Sequence, residues 1–323
     1  MAGFFLDEKL LPDILAALAT EGEIIGPAVT DDGVVSFAPV RSPGDLFLDA
    51  CRTLIPPKKF LLPPRELLLD YNPAAGYRAA HCAPPEIVLA ALHPCDLHAI
   101  SFLDRLFLDD IPDTLYRLRR DNLFLVGLSC DPDGYCFCDK VGCRSPGPFD
   151  IFLQRAPGGF FVLHGSGKGE RFLGQVRELL TEDVAPFEPV AFAASPAAVA
   201  DEVPESPLWE EFGRRCLSCG ACSACCPTCA CFDVREYGAL DGETAHRVRE
   251  WDNCLFADHG AVAGGGNFRP SRVERLRYRY RHKYGGFGPL RGVVSCVGCG
   301  RCRAVCPVGI DLQEIVSSRG EET

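Results

Sequence analysis

The apolar positions of the chain change period several times within the first 200 residues. Leu10 to Leu18 repeats at helical spacing, whereas Glu86-Ile-Val-Leu-Ala-Ala-Leu92 and Asn122-Leu-Phe-Leu-Val-Gly-Leu128 are short apolar runs of strand length. Between them, Asp96 to Phe107 has the pattern of an amphipathic helix. Strand, helix, strand is the order of a crossover unit in a parallel sheet. Asp150-Ile-Phe-Leu153 and Gly159-Phe-Phe-Val-Leu163, divided by Ala156-Pro-Gly-Gly159, predict a hairpin. Gly165-Ser-Gly-Lys-Gly169 lacks both the first glycine of a phosphate loop and the Ser or Thr after Lys168, so it reads as a turn. Around Ala191 to Ser206 the period gives way to Ala, Pro, Ser and acidic residues, which predicts a boundary, and Trp209 to Arg215 then reads as a helix. The expected class is α+β, with a mixed α/β domain over residues 1–200 and a second domain over 206–323.

The second domain carries two cysteine runs, Cys216-Leu-Ser-Cys219-Gly-Ala-Cys222-Ser-Ala-Cys225-Cys226-Pro227 and Cys296-Val-Gly-Cys299-Gly-Arg-Cys302-Arg-Ala-Val-Cys306-Pro307. Each has the C-x2-C-x2-C-x3-C-P spacing of a cubane iron–sulfur site, in which three thiolates hold one cluster and the fourth reaches the other. The pairing this predicts is Cys216, Cys219, Cys222 and Cys306 on cluster 1, with Cys226, Cys296, Cys299 and Cys302 on cluster 2; Cys225 falls outside the spacing. Structural zinc is the competing account, but zinc ribbons place two pairs around a loop. The fold is therefore expected to be a two-[4Fe-4S] bacterial-ferredoxin-like domain with an insertion of about seventy residues between its motifs.

At 323 residues the chain is long enough for two cores. A net charge of -11 argues against nucleic acid or an anionic membrane as the main partner. Nineteen cysteines in a small secreted chain would suggest disulfides. This chain is larger and opens Met1-Ala-Gly-Phe-Phe-Leu-Asp7-Glu8, acidic where a signal peptide is basic, so a cytoplasmic setting is expected. No apolar run reaches membrane-spanning length.

Cys226-Pro-Thr-Cys-Ala-Cys231-Phe-Asp, Trp251-Asp-Asn-Cys254, Gly265-Gly-Asn-Phe-Arg269-Pro-Ser-Arg272, His282-Lys283 and the second cysteine run resemble the iron–sulfur subunit shared by several cytoplasmic reductase complexes. These are the A subunit of anaerobic sulfite reductase, the β subunit of sulfhydrogenases, and the related subunit of heterodisulfide-reductase-linked NADH oxidoreductases. His93-Pro-Cys95-Asp96-Leu-His98 and Gly127-Leu-Ser-Cys130-x5-Cys136-Phe-Cys138 are similar to the same family's other cysteine motif. Both follow directly on the two predicted strands, at the carboxyl ends where open α/β sheets place ligands. Cys95, Cys130, Cys136 and Cys138 are thus candidates for a third [4Fe-4S] cluster, against buried free thiols or zinc. The one-residue spacer in Cys136-Phe-Cys138 strains two ligands on one cubane, and Cys143 competes for the fourth position.

Cys229, Cys231 and Cys254 also match the family pattern, with packing against the clusters and metal ligation both open. Cys51 and Cys82 are isolated and read as small buried hydrophobes. His81, His93, His98 and His282 are individually weak signals. Arg269 to Lys283 is the most basic stretch, and Arg272, Arg275 and Arg279 share a helical face with Pro270 in the first turn. That face suits docking of an acidic partner or tuning of an anionic cluster; interleaved aromatic residues leave RNA as a third use.

Fully ligated cubanes pass single electrons, and the chain has no Gly-x-Gly-x-x-Gly between a strand and a helix. The expected function is an electron-relay subunit, not catalytic alone. The resemblance implies an NAD(P)H-oxidising flavoprotein at one end and a catalytic redox subunit at the other. Two alternatives differ in class: an enzyme binding substrate at the Cys95/Cys130/Cys136/Cys138 site, and a cluster-bearing regulator or RNA-binding protein.

Overall fold

The two uninterrupted apolar runs lie side by side inside an eight-stranded mixed sheet. The computed structural model describes residues 3–79, 83–184, 203–240, 242–287, 290 and 292–317. His81, Cys82 and most of the expected boundary region lie outside the described residues. In chain order the strands are β1 (Gly3–Asp7), β2 (Glu23–Val29), β3 (Val35–Pro39), β4 (Arg65–Asn72), β5 (Gly76–Ala79), β6 (Ile87–Leu92), β7 (Leu123–Leu128), β8 (Ile151–Ala156), β9 (Gly159–His164), β10 (Thr181–Val184), β11 (Phe232–Gly238) and β12 (Ala245–Trp251). The helices are α1 (Leu11–Leu18), α2 (Lys58–Leu61), α3 (Pro94–Leu108), α4 (Thr114–Asp121), α5 (Gly167–Gln175), α6 (Leu208–Arg215), α7 (Ala221–Ala224), α8 (Arg272–Tyr284), α9 (Arg301–Ala304) and α10 (Gln313–Ser317).

The chain forms two compact units. The first contains the eight-stranded sheet, in the order β10-β1-β9-β8-β7-β6-β2-β3. Strands β2, β6, β7 and β8 run parallel, and β8 and β9 form the expected hairpin. Every residue of β7 is buried, as a parallel strand covered on both faces requires. The core joins Ile14, Leu15 and Leu18 of α1 and Phe172 and Leu173 of α5 to Val88, Phe124, Val126 and Ile151 of the sheet. Helix α3 is the expected crossover. It packs so close that a Cβ at Gly127 would stand 2.3 Å from the Phe152 ring and 3.1 Å from Leu97. The stretch Gly165–Gly169 is a helix start instead of a bare turn: the Ser166 hydroxyl accepts from the Gly169 N–H (3.1 Å) and caps α5.

The second unit is built on a four-stranded antiparallel sheet, β11-β12-β4-β5, and on the pair α6 and α8. Arg249 on β12 donates from Nε to Glu66 on β4 (2.8 Å), both side chains buried. Trp209 meets Tyr280 edge-on, with ring centroids 5.5 Å apart. Helix α8 starts two residues after Pro270, which was expected in its first turn, because Ser271 and Glu274 form a reciprocal capping box that makes Arg272 the first helical residue.

The two units are each built from separate stretches of the chain. The second takes residues 58–83 out of the first half of the chain, and the first takes 296–301 out of the second half. The single cut expected near residue 200 is therefore crossed twice. The cause is pairing over long sequence distance: β4 and β5 extend the sheet of β12, and Arg301 is drawn to α3.

That last attachment is a buried ion pair. Asp96 is 2% exposed and Arg301 is 1% exposed. Arg301 Nη2 donates to Asp96 Oδ2 (3.1 Å), Nη1 lies 2.9 Å from Oδ1, and Nε donates to the Thr53 carbonyl (2.9 Å). Removing one partner strands the other charge in the interior. Arg301→Met should therefore lower the unfolding free energy by about 3–5 kcal/mol, whereas Asp96→Leu combined with Arg301→Met should recover most of that loss. Denaturant unfolding of the three proteins under anaerobic conditions is the check, and equal losses in single and double variants would contradict it.

Candidate metal centres

In the second unit, the loop after α6 wraps round a cavity lined by Cys216, Cys219, Cys222 and Cys306, with Cys302, Leu255, Leu276 and Arg279 also on its wall. Two runs far apart in sequence thus supply one ring of thiols. The backbone is shaped to the sulfurs. Ser218 takes φ 53°, a left-handed conformation unusual for a side-chain-bearing residue, and its N–H points to Cys216 Sγ at 3.4 Å. Ile310 N–H donates to Cys306 Sγ at 3.2 Å. Gly220, at φ 76°, could not carry a Cβ, which would lie 2.4 Å from Asn253 Nδ2; that amide donates to the Gly220 carbonyl (2.8 Å) and holds the loop. Backbone N–H groups aimed at sulfur are the hydrogen-bond donors that metal-bound thiolates accept. Five cysteines line the cavity, and the four that the spacing assigns together, two of them receiving N–H bonds, fit a cubane.

A second group of thiols lies in the same unit. Cys226 and Cys229 are hydrogen-bond partners, as are Cys231 and Cys254. Three buried cations surround them. Arg279 donates to Ser223 Oγ (2.8 Å), Cys229 Sγ (3.2 Å) and the Cys222 carbonyl (2.8 Å). Lys58 donates to the carbonyls of Ser223 (3.2 Å) and Cys229 (2.9 Å) and stands over the Trp251 ring at 4.3 Å. Lys283 donates to Thr228 Oγ1 (2.7 Å). The hydrogen bond with Cys229, together with Lys283 and Arg279, holds the Cys226 thiol well below its ordinary range.

The helix face expected to carry Arg272, Arg275 and Arg279 turns mostly inward. Arg272 is exposed, but Arg275 and Arg279 are buried, so these two cannot form a docking surface. Arg275 donates to the carbonyls of Arg269 (3.0 Å) and Pro270 (2.7 Å) and to Ser218 Oγ (3.4 Å) in the first cysteine run.

The first unit holds the remaining thiols. Cys95 lies in the first turn of α3, and Cys130, Cys136 and Cys138 follow β7. Cys95 and Cys143 pack against Cys299, Val297 and Ala99. The segment from Cys296 lies tightly on the loop after β7: Phe137 N–H donates to the Gly298 carbonyl (2.8 Å), and a Cβ at Gly298 would come within 2.5 Å of the Cys138 backbone. Gly298 also takes φ 66°, so both space and conformation require glycine. Burial first, and then neighbouring thiols, push Cys130 and Cys143 up to about 12. Such thiols stay protonated at neutral pH until a metal ion displaces the proton.

Cys51, read from sequence as an isolated hydrophobe, is placed with its sulfur 3.8 Å from that of Cys136. Arg52 reaches both sulfurs (3.6 and 3.4 Å) and also pairs with Asp133. The hydrogen bond from Cys51 and the Arg52 guanidinium bring Cys136 down to about 6. Nothing near Cys51 in the sequence marks it. Arg301 could have been suspected, as a cation between two ligands of the second run, but its partner Asp96 is 205 residues away.

A family of 4Fe-4S dicluster domains matches residues 215–310, a span that contains both cysteine runs. This supports two [4Fe-4S] clusters. No solved structure matches the chain. Among the described residues, no helix is long and apolar enough to cross a membrane. Over 332 aligned residues, covering 96% of each chain, the sequence is 37% identical to "Sulfhydrogenase 2 subunit beta" of Pyrococcus furiosus. Identity at that level across nearly the whole length, with both cysteine runs inside the matched domain, shows that the chain belongs to the iron–sulfur sulfhydrogenase β-subunit family.

Proposed function

We propose that the chain is the electron-relay subunit of a cytoplasmic multi-subunit oxidoreductase. It passes single electrons between an NAD(P)H-oxidising flavoprotein subunit and a catalytic subunit of hydrogenase, sulfite reductase or heterodisulfide reductase type. The observation that carries this reading is the cavity ringed by Cys216, Cys219, Cys222 and Cys306, a donor set with no ligand position left over. A cubane held by four thiolates supplies a reversible one-electron couple. The protein's part is to fix the thiolates, exclude water and supply countercharge. Ser218 and Ile310 do the first, Leu255 and Leu276 the second, and Arg279 the third. The second set, Cys226, Cys296, Cys299 and Cys302, is proposed from the spacing of the runs. A third [4Fe-4S] cluster is proposed from Cys95, Cys130, Cys136 and Cys138, in a thiol-rich region that Cys51 and Cys143 enlarge.

A second reading is a substrate site beside that third centre. It is favoured by a cavity of about 350 Å³ lined by Cys130, Ser129, Arg144 and Arg155 next to β7 and β8. Two guanidinium groups suit a small anion. Direct turnover of an anionic substrate by the purified chain would favour this reading over the relay.

The crossed ligation has a spectroscopic consequence. Cys306→Ser should lose the same cluster signal as Cys216→Ser, and Cys226→Ser the same as Cys296→Ser. If Cys226→Ser instead matched Cys216→Ser in its EPR spectrum, each run would be closing its own cluster.

The relay itself is tested by the source of its electrons. The isolated chain should accept electrons from dithionite but not from NADH or NADPH, and addition of the flavoprotein subunit should confer reduction by one of those nucleotides. Arg279→Met should lower a cluster potential in the isolated subunit, because a buried cation stabilises the reduced, more negative form. Nicotinamide oxidation by the flavin-free chain, followed at 340 nm, would overturn the relay reading.

A further inference from the structure

Cys229, Cys231 and Cys254 are not needed by either ferredoxin-type set, yet the fold assembles them. Cys229 and Cys231 are adjacent to the first run, whereas Cys254 arrives at the end of β12 and is 3% exposed. The sulfurs of Cys231 and Cys254 are within hydrogen-bonding reach of each other, and Cys229 receives the Arg279 guanidinium at 3.2 Å. Cys229 and Cys231 line a cavity of about 210 Å³, with Lys58, Trp251, Asp252 and Asn253 on its other walls. That is space for several water-sized groups of about 30 Å³ each.

The surrounding charge is hard to explain by packing alone. Lys58 and Arg279 are each 3% exposed, and the contacts described above carry them to carbonyl oxygens, a hydroxyl and a sulfur. A buried cation facing neutral groups is costly, and the cost is removed when an anion lies beside it. Three thiolates on a divalent metal carry net negative charge, which neutral thiols do not. Arg279 also faces the cavity at Cys216, but Lys58 does not, and the thiol group, the second cavity and the buried Lys58 are separate observations that one metal centre explains together.

We propose that Cys229, Cys231 and Cys254 ligate a thiophilic metal centre of their own, beside the ferredoxin-type set that takes Cys226, with Lys58 as its countercharge and Arg279 shared with the cavity at Cys216. Its occupant is an iron–sulfur cluster or a single zinc ion, since both are held by thiolate. Cys226 keeps its place in the ferredoxin-type set. Three protein ligands leave one position for water or a small ligand in the cavity, unlike the closed site at Cys216.

The test uses the full-length protein purified anaerobically. In native alkylation with iodoacetamide, mapped by mass spectrometry, Cys229 and Cys231 should resist labelling although they line an open cavity, and should label after the metal is removed by a chelator. Cys231→Ser combined with Cys254→Ser should lose about four irons per chain if the occupant is a cubane, or about one zinc if it is a single ion. The EPR signal that disappears in Cys216→Ser should persist in that double variant, which separates failure of this centre from failure of the relay clusters. Labelling of Cys231 in the untreated protein at full metal content would overturn the proposal, as would unchanged iron and zinc in the double variant. Should the double variant not fold, the alkylation pattern of the wild-type protein decides by itself.

Discussion

A thiolate buried away from water needs a positive charge beside it, and the placement of several buried cations in this chain follows that need. The protein is acidic overall, with a net charge of -11, yet Lys58, Arg249, Arg275, Arg279, Lys283 and Arg301 are all buried. Arg249 answers a carboxylate on the neighbouring strand. Arg279 reaches the sulfur of Cys229, Arg52 reaches those of Cys51 and Cys136, and Arg301 lies on the run that contains Cys299. The interior is built as a set of charge-matched pockets, and the strands and helices are the means of bringing distant cations to them.

Arg301 shows how this ties the fold together. It belongs to the second cysteine run by sequence, but its guanidinium is satisfied by Asp96 on α3 and by the Thr53 carbonyl. The same helix carries Cys95 in its first turn. A single buried side chain therefore fixes where Cys299 lies relative to Cys95, and the tight approach of Gly298 to Cys138 leaves that segment no freedom to slide. Helix α8 does comparable work in the second unit. One face packs Tyr280 against Trp209, and the adjoining positions send Arg275 and Arg279 into the first cysteine run.

Much of this was legible in the sequence because it is local. Strands β6 and β7, helix α3 between them and the β8–β9 hairpin follow from apolar period and turn residues, and the cluster spacing follows from the geometry of thiolates on a cubane. What could not be read depends on contacts across long sequence distance. The pairing of β4 with β12 moves residues 58–83 into the second unit, and no composition change marks that segment. Cys51 looked like a lone hydrophobe because its partner, Cys136, is 85 residues away. The sequence puts Arg272, Arg275 and Arg279 on one face of α8 but leaves docking and cluster tuning both open, since charge pattern alone does not distinguish a solvated arginine from one turned toward a buried thiol.

The central claim is that the two cysteine runs hold redox-active iron–sulfur cubanes. Its most direct test is the metal, acid-labile sulfide and EPR analysis of one anaerobic preparation before and after dithionite. Two cubanes give about eight irons and eight sulfides per chain, a third raises both to about twelve, and reduction should produce the signals of reduced clusters. Fewer than about seven irons, with zinc in their place and no signal on reduction, would contradict the account.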